Sequence, residues 1–422
     1  MAFRNSLRAV LLPACFLMFA ILGCTANSDP HIGGTVTVVG SWSGSEEEAF
    51  LAMVRPFEQQ TGVSVQYTGT RDLNGLLWQG VAQKNPPDVA GLPGPGQMAE
   101  FARFGALQDL SSVIDVSQYK NDTVPTFIDL GTVDGKLVGV FIKATLKGLI
   151  WYNPRVYTIG APSTWAALET DAQLAKRDSN TWCVALGSDA TSGWPGTDWI
   201  EDFVLRQSGP DVYDNWVEGK LPWTSPEIKQ AFQNYGNVVA DSAGGASNVI
   251  ATGFQDGGDG LFSDPPSCLF HHQATFMTEF FKSQAGARDG EYDFFPFPAL
   301  DSRFANDVTG AGDLFGMFRN TPQSRALMSY LLTPEAQSIW VSRGGALSVN
   351  VNVTNYPDDI SKRAAQILTS ADRFRFDGSD LMPETLNEAF LQGVIEYTRN
   401  PGELDQILAQ LDTVSRNNVT GP

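Results

Sequence analysis

The stretch Thr35-Val36-Thr37-Val38-Val39-Gly40-Ser41-Trp42-Ser43-Gly44-Ser45-Glu46-Glu47-Glu48 decides the fold. Five β-branched residues in a row predict a strand, because branching at Cβ suits a pleated surface and stiffens χ1 against a helix. Gly40 ends it. Ser45-Glu46-Glu47-Glu48 then reads as a capping box, with Ser45 accepting from the third amide and Glu48 reaching back. Phe50, Met53, Val54 and Phe57 recur at helical spacing, and Gly62 supplies a stop. Val63, Val65 and Tyr67 alternate as the next strand. Strand, helix and strand in that order form a βαβ unit, which predicts an α/β fold with a largely parallel sheet.

Downstream the same grammar continues. Leu73, Leu76, Leu77 and Val81 line a second helix, which Pro86-Pro87 end before a strand over 88–92. Gly94-Pro95-Gly96-Gln97 turns into a helix ending near Gly105. Asp134-Gly135-Lys136 is a turn between two short strands, the second over 137–142. Thr321-Pro322 and Thr333-Pro334 each place a capping threonine before a proline, predicting helices over 324–332 and 335–342. No internal repeat or long low-complexity linker interrupts the 422 residues, of which 42% are hydrophobic. That length predicts two or more domains, joined by several short crossings rather than one flexible tether.

Upstream, Arg4 and Arg8 precede an apolar run over 9–22, broken only by Pro13. A membrane span needs roughly 20 apolar residues, so this shorter run reads as a signal peptide over 1–23. Ile21-Leu22-Gly23-Cys24 resembles the bacterial lipobox, which predicts lipidation of Cys24 and a tether over 24–33; ordinary cleavage near Ala26, or a non-cleaved anchor, is the alternative. Acylation contributes about 0.8 kcal/mol per buried CH₂, so multiple chains anchor stably. The expected location is extracytoplasmic, lipid-anchored to the cell membrane. A net charge of −19 argues against nucleic acid, whose phosphates require clustered Lys and Arg. Of four cysteines, Cys15 leaves with the leader and Cys24 carries the lipid. Cys183 and Cys268 remain, and export favours a disulfide between them over two buried thiols, worth roughly 4 kcal/mol for so long a loop.

Catalytic signatures are missing. There is no Gly-x-Ser-x-Gly elbow, phosphate-binding Walker loop or His-Glu-x-x-His. Of three histidines, His31 sits in the tether, and His271-His272 point to opposite faces if they lie on a strand. No metal site, cofactor or enzymatic activity is expected. Among 47 acidic residues no pair stands out for glycoside hydrolysis. What stands out is tryptophan beside Gly, Ser and Asp: Trp42, and Trp194 with Trp199 in Ser192-Gly193-Trp194-Pro195-Gly196-Thr197-Asp198-Trp199. Aromatic faces suit the C–H faces of sugars, and charged groups suit their hydroxyls. Core packing is the competing explanation for each.

Several motifs in this order resemble the family 1 extracellular solute-binding proteins of carbohydrate ABC importers, the maltose-binding cluster and its α-glucoside-type branch. They are Phe57-Glu58-Gln59-Gln60-Thr61-Gly62, Asn85-Pro86-Pro87-Asp88-Val89, the segment 133–140, Gly148-Leu149-Ile150-Trp151-Tyr152-Asn153, Ala161-Pro162-Ser163-Thr164-Trp165 and the segment 331–337. The resemblance implies a two-lobed periplasmic-binding fold of type II, each lobe a mainly parallel sheet flanked by helices, with the ligand in the cleft between them. It places lobe 1 at 34–143 plus 300–346, lobe 2 at 144–299 plus 347–422, and crossings near 142–147, 296–300 and 345–350.

By position it implies cleft roles for Trp42, Ser43, Glu46, Arg71, Asp72 and Gln97 in the first lobe. At the first crossing stand Lys143 and Lys147, which imply either an anionic ligand or an ion pair with Asp72. In the second lobe it implies Trp194, Thr197, Asp198, His272, Gln273 and Phe276. Further on come Asp313, Arg343, Gly344, Arg373 and Asp377. The function implied is capture of an α-glucoside-type oligosaccharide, such as trehalose, sucrose or maltose. A monomeric receptor would deliver it to two membrane permease subunits with a cytoplasmic ATPase. Two rivals remain at this stage: a secreted glycan-active hydrolase, and a receptor of the same fold for another solute such as a polyamine.

Overall fold

The computed structural model describes Met1 and residues 31–92, 94–176 and 179–419. The expected leader, Cys24 and the tether as far as residue 30 lie outside the described residues. No helix among those described is long and apolar enough to cross a membrane.

Twelve strands are described: β1 (Thr35–Gly40), β2 (Ser64–Gly69), β3 (Val89–Leu92), β4 (Thr132–Val133), β5 (Lys136–Leu137), β6 (Gly139–Leu146), β7 (Leu149–Tyr152), β8 (Asn180–Cys183), β9 (Cys268–Gln273), β10 (Asp293–Pro296), β11 (Asp307–Met317) and β12 (Arg373–Phe376). The opening βαβ unit forms as expected: β1 pairs in parallel with both β2 and β3, and the helix Ser45–Thr61 connects β1 to β2. That helix buries Phe50, Met53, Val54 and Phe57 against Val36 and Val38 of the sheet, with Leu327, Met328 and Trp340 completing the first lobe's core. Burial of each such side chain contributes about 1.5–3 kcal/mol.

Its start differs from expectation. Gly44, at φ 58°, takes the N-cap position, and the Ser45 hydroxyl has no partner, so the capping box does not form. Its far end is as expected, with Gly62 left-handed at φ 70° and its amide bonded to the Glu58 carbonyl. The threonine caps also form: Thr321 accepts from the Ser324 amide and Thr333 from the Ala336 amide, opening the helices Pro322–Leu331 and Pro334–Val341.

The second lobe carries a four-stranded sheet in the order β10-β7-β9-β8. Only β8 and β9 run parallel; β7 is antiparallel to both neighbours, so this sheet is mixed rather than mainly parallel. Its start is stapled by the disulfide Cys183–Cys268, with Cα atoms 5.5 Å apart across neighbouring strands. The core beside it is aromatic, with Trp199, Phe203, Trp216, Trp223, Tyr235 and Phe390 all buried.

Crossing strands join the lobes. β6 pairs antiparallel with β11 along its length, with a register shift at Asp313/Leu314. Ala144 and Leu347 exchange backbone hydrogen bonds of 2.7 and 2.8 Å, so the expected crossings at 142–147 and 345–350 run side by side. The crossing near 296–300 is held by Arg206, whose guanidinium donates to the carbonyls of Phe297, Phe304 and Ala305. β12 pairs in parallel with β11 and extends the first sheet, whereas the helix Glu384–Arg399 packs in the second lobe. β12 can join because β11 is long enough to leave the first lobe: Thr309 donates to Asp202, and Tyr213 to the Phe376 carbonyl, from second-lobe helices.

Candidate ligand cleft

Between the lobes lies a cleft of about 1080 Å³, part of it open to solvent, at the upper limit of sites for small molecules. Its floor is the end of β6. Lys143, Thr145 and Lys147 alternate along the chain, so all three face the cleft, as the two-residue period of a strand requires. Both lysines are buried, which a lone ammonium could not sustain. Each is held by two carboxylates. Lys143 lies 2.9 Å from Glu46 and 3.1 Å from Asp313, with its ammonium 4.5 Å above the Trp340 ring. Lys147 lies 2.8 Å from Asp198 and bonds to Asp377 as well, with its ammonium 5.4 Å from the centre of the Trp194 ring.

Burial would lower both amines, but these carboxylates outweigh it and hold each above the ordinary lysine value. The reverse holds for the acids. Burial, aided by Asp377, pushes the carboxyls of Asp198, Glu201 and Asp380 well above their usual range. Asp377 alone is drawn down, because Lys147, Ser379 and the Asp380 amide overcome its burial. Oxygens of Asp198, Glu201 and Asp377 lie within 4.8 Å of one another, a spacing that suits a cation. The Lys147 ammonium already fills that role for Asp198 and Asp377. Glu201 accepts instead from the amides of Gly378 and Ser379 and from the Tyr213 hydroxyl, fixing the segment that carries Asp377 and Asp380 to the second lobe.

The walls differ in character. From the first lobe come Glu46, Arg71 and Gln97, the last with a buried side-chain oxygen lacking any partner. From the second come the rings of Trp194, Phe254 and Phe276, packed edge to face. Arg71 reaches across, its guanidinium 4.7 Å above Phe254.

Of the residues expected at the site, Trp42, Glu46, Arg71, Gln97, Lys143, Lys147, Trp194, Asp198, Phe276, Asp313 and Asp377 line this cleft. The others do not. Ser43 is exposed on the loop before Gly44. Asp72 caps the helix Leu73–Ala82 by accepting from the Gly75 amide, and it pairs with neither lysine. Thr197 is fully buried beneath the wall, donating to the Trp194 carbonyl, because 194–199 opens a helix (Trp194–Ser208) rather than forming a loop. That same turn buries Trp199 in the second lobe's core. His272 lies 2.6 Å from Asp202 with its ring tilted against Trp199, and the Gln273 side chain accepts from the Ala274 amide just past its strand. His271, on the opposite face, contacts the Cys183 carbonyl. Arg343 sits near Glu48 at the surface, beside Gly344 in a left-handed turn. Arg373 pairs with Asp307 at the outer end of β12. Conversely, Thr191, Phe254, Ser379, Asp380, Asn387 and Leu391 line the cleft without having been expected there.

A two-lobed molecule with one deep interlobe cleft has known counterparts. The family described as bacterial extracellular solute-binding protein matches residues 52–368. The chain belongs to this family. Two relatives of the solute-binding protein cover most of its length. One is the osmoprotective compounds-binding protein GgtB of Synechocystis sp., 32% identical over 396 residues, 90% of this chain and 94% of that one. Another is the alpha-glucosides-binding periplasmic protein AglE of Rhizobium meliloti, 34% identical over 394 residues, 88% of this chain and 85% of that one. Among solved structures, a chitin oligosaccharide binding protein superposes with a TM-score of 0.81 at 16% identity, over 92% of this chain and all of that one. Maltose-bound T. maritima MalE3 gives 0.71, also at 16% identity, over 91% and 99%. The solute-binding proteins are receptors, not enzymes, and the two-lobed fold expected from the sequence is the fold observed.

Proposed function

We propose that this solute-binding protein is the lipid-anchored receptor of an ABC importer, capturing an uncharged α-glucoside-type oligosaccharide and handing it to a permease pair driven by a cytoplasmic ATPase. One observation carries this reading: an aromatic wall of Trp194, Phe254 and Phe276 stands over a floor whose two lysines are already neutralised by carboxylates. Rings suit the apolar faces of pyranoses, and carboxylates suit their hydroxyls. The names of the relatives AglE and GgtB point the same way, toward glycosides and osmoprotective compounds. Capture proceeds by closure: a ligand that bonds both lobes favours the closed form by its differential affinity.

Calorimetry across trehalose, sucrose and maltose, with analysis for products, tests the proposal. Saturable heat without turnover is expected for at least one; hydrolysis, or no binding by any, overturns it. The surplus of carboxylates favours one second reading, a polyamine, so spermidine belongs in the same screen. Membrane retention that is lost on replacing Cys24 with Ser tests the anchor.

A further inference from the structure

The side chain of Asp380 is the odd one out in the cleft. Its amide caps back onto Asp377, 3.1 Å away, but its own carboxylate has no hydrogen bond or ion pair among the described residues. It is half-buried and lines the cleft. Neither lysine can serve it, since Lys143 and Lys147 are each saturated by two other acids. The remaining cation of the cleft, Arg71, is engaged with Phe254 on the far wall.

Its position adds to this. The turn at Gly94 and Gly96 brings the first lobe onto the backbone around Asp380 so closely that a Cβ at Gly94 would lie 2.4 Å from the Asp380 carbonyl oxygen, and one at Gly96 2.1 Å from that of Met382. Only glycine permits this approach. The backbone that carries Asp380 is therefore held at the junction of the lobes, with the carboxylate at the cleft surface. An unpaired acceptor with two oxygens in such a place calls for two donors from a ligand. The charges that act on it most strongly are those of Asp377, Lys147, Asp198 and Asp313, and three of those four are acids.

We propose that Asp380 sets the charge selectivity of the cleft, accepting hydrogen bonds from a vicinal diol of an uncharged glycoside and rejecting anionic sugars such as uronates. This rests on the sugar reading above and goes beyond it by naming the residue that discriminates and the ligands it turns away. With Asp380 ionised, a uronate or sugar phosphate meets a like charge that neither floor lysine offsets, and such juxtaposition is a strong device against wrong partners. A hydroxyl pair loses nothing by comparison, because each oxygen of the carboxylate takes one hydrogen.

The test uses the full chain and three matched ligands: a neutral disaccharide that the wild type binds, its uronic-acid counterpart and its amino-sugar counterpart. Asp380→Asn keeps the shape and removes the charge; Asp380→Ser removes the planar acceptor as well. With unfolding temperatures close to wild type, both should lose tenfold or more in affinity for the neutral ligand. Asn should also narrow the preference for neutral over uronate by at least tenfold. Folded variants with the wild-type ratio overturn the proposal, as does a wild type that binds the uronate as tightly as the neutral sugar. If no neutral disaccharide binds the wild type at all, the sugar reading itself fails; binding with an unchanged ratio strikes this proposal alone.

Discussion

Lys143 and Lys147 stand on one face of the same crossing segment, and each is gripped by two carboxylates that lie far away along the chain. The two triads make the floor of the cleft rigid and leave no lysine free to attract an anion. Removing one partner from such a buried set is costlier than the set's own net worth, because the charge left behind is desolvated and unpaired. Lys147→Met should therefore destabilise the protein by roughly 3–5 kcal/mol at neutral pH. The loss should shrink at acid pH, where Asp198, already raised by burial, and Asp377, freed of Lys147, can take up protons. Urea unfolding at both pH values checks this; equal losses at the two would contradict it.

The pH dependence of the ligand-free protein follows from the same floor. Asp198, Glu201 and Asp380 have carboxyls raised in the folded state, so the folded protein binds more protons than the unfolded chain. Stability then falls as pH rises above the ordinary carboxylate range of 3.8 to 4.5 and through the raised values. Asp377 runs the other way and gives stability lost only below its ordinary 3.8. Buried His271, lowered to about 4, opposes this trend below its ordinary 6.5; above that the unfolding temperature should fall as pH rises to 8, and Asp380→Asn should flatten the slope. A curve rising from pH 6.5 to 8 would refute this.

Trp194 is half-buried at the cleft wall against Phe254 and Phe276. Its ring is the one best placed to stack a sugar, whereas Trp42 is locked among Phe50, Tyr67, Phe315 and Trp340. Trp194→Ala should weaken oligosaccharide binding by about 1–3 kcal/mol, as for other anchor residues. Unchanged affinity with lowered stability would make it a packing residue.

The disulfide Cys183–Cys268 spans 85 residues of sequence, and cross-linking so long a loop is worth about 4 kcal/mol in the chain-entropy model. Replacing both cysteines with alanine should lower stability by roughly 2–5 kcal/mol and leave ligand affinity within about threefold, since neither cysteine lines the cleft. Thiol labelling of unfolded, unreduced protein should find neither residue reactive.

How much of this was legible in advance depends on the range over which each feature is encoded. Local patterns read well: the helical spacing of Phe50, Met53, Val54 and Phe57, the stop at Gly62 and the caps at Thr321 and Thr333 all depend on neighbours a few residues apart. The capping box at Ser45 failed because Gly44 could adopt a positive φ and begin the helix one step earlier. That turn leaves Glu46 facing Lys143. Charge pairing was illegible, since Asp72 was near in expectation but Asp313 and Asp377 are near in space. The loop reading of 194–199 failed because Pro195 starts a helix that is buried all round from Pro195 to Arg206. Asp380 and Ser379 sit on a four-residue turn of helix with no periodicity to betray it, and Phe254 follows Gly253 in a similar short segment. Their arrival at the cleft is a product of topology alone.

The two triads have a last consequence. Glu46 and Asp313 belong with Lys143 on the first-lobe side, while Asp198 and the Glu201-clamped Asp377 belong with Lys147 on the second. No ion pair of either floor lysine must be torn apart when the lobes separate. Opening the receptor thus leaves both triads whole; what must part is the packing of Gly94 and Gly96 on the Asp380–Met382 backbone, the bonds of Trp78 and Glu100 to Glu384, and rim contacts such as Arg71 with Phe254, so the emptied molecule returns to waiting with its floor electrostatics intact.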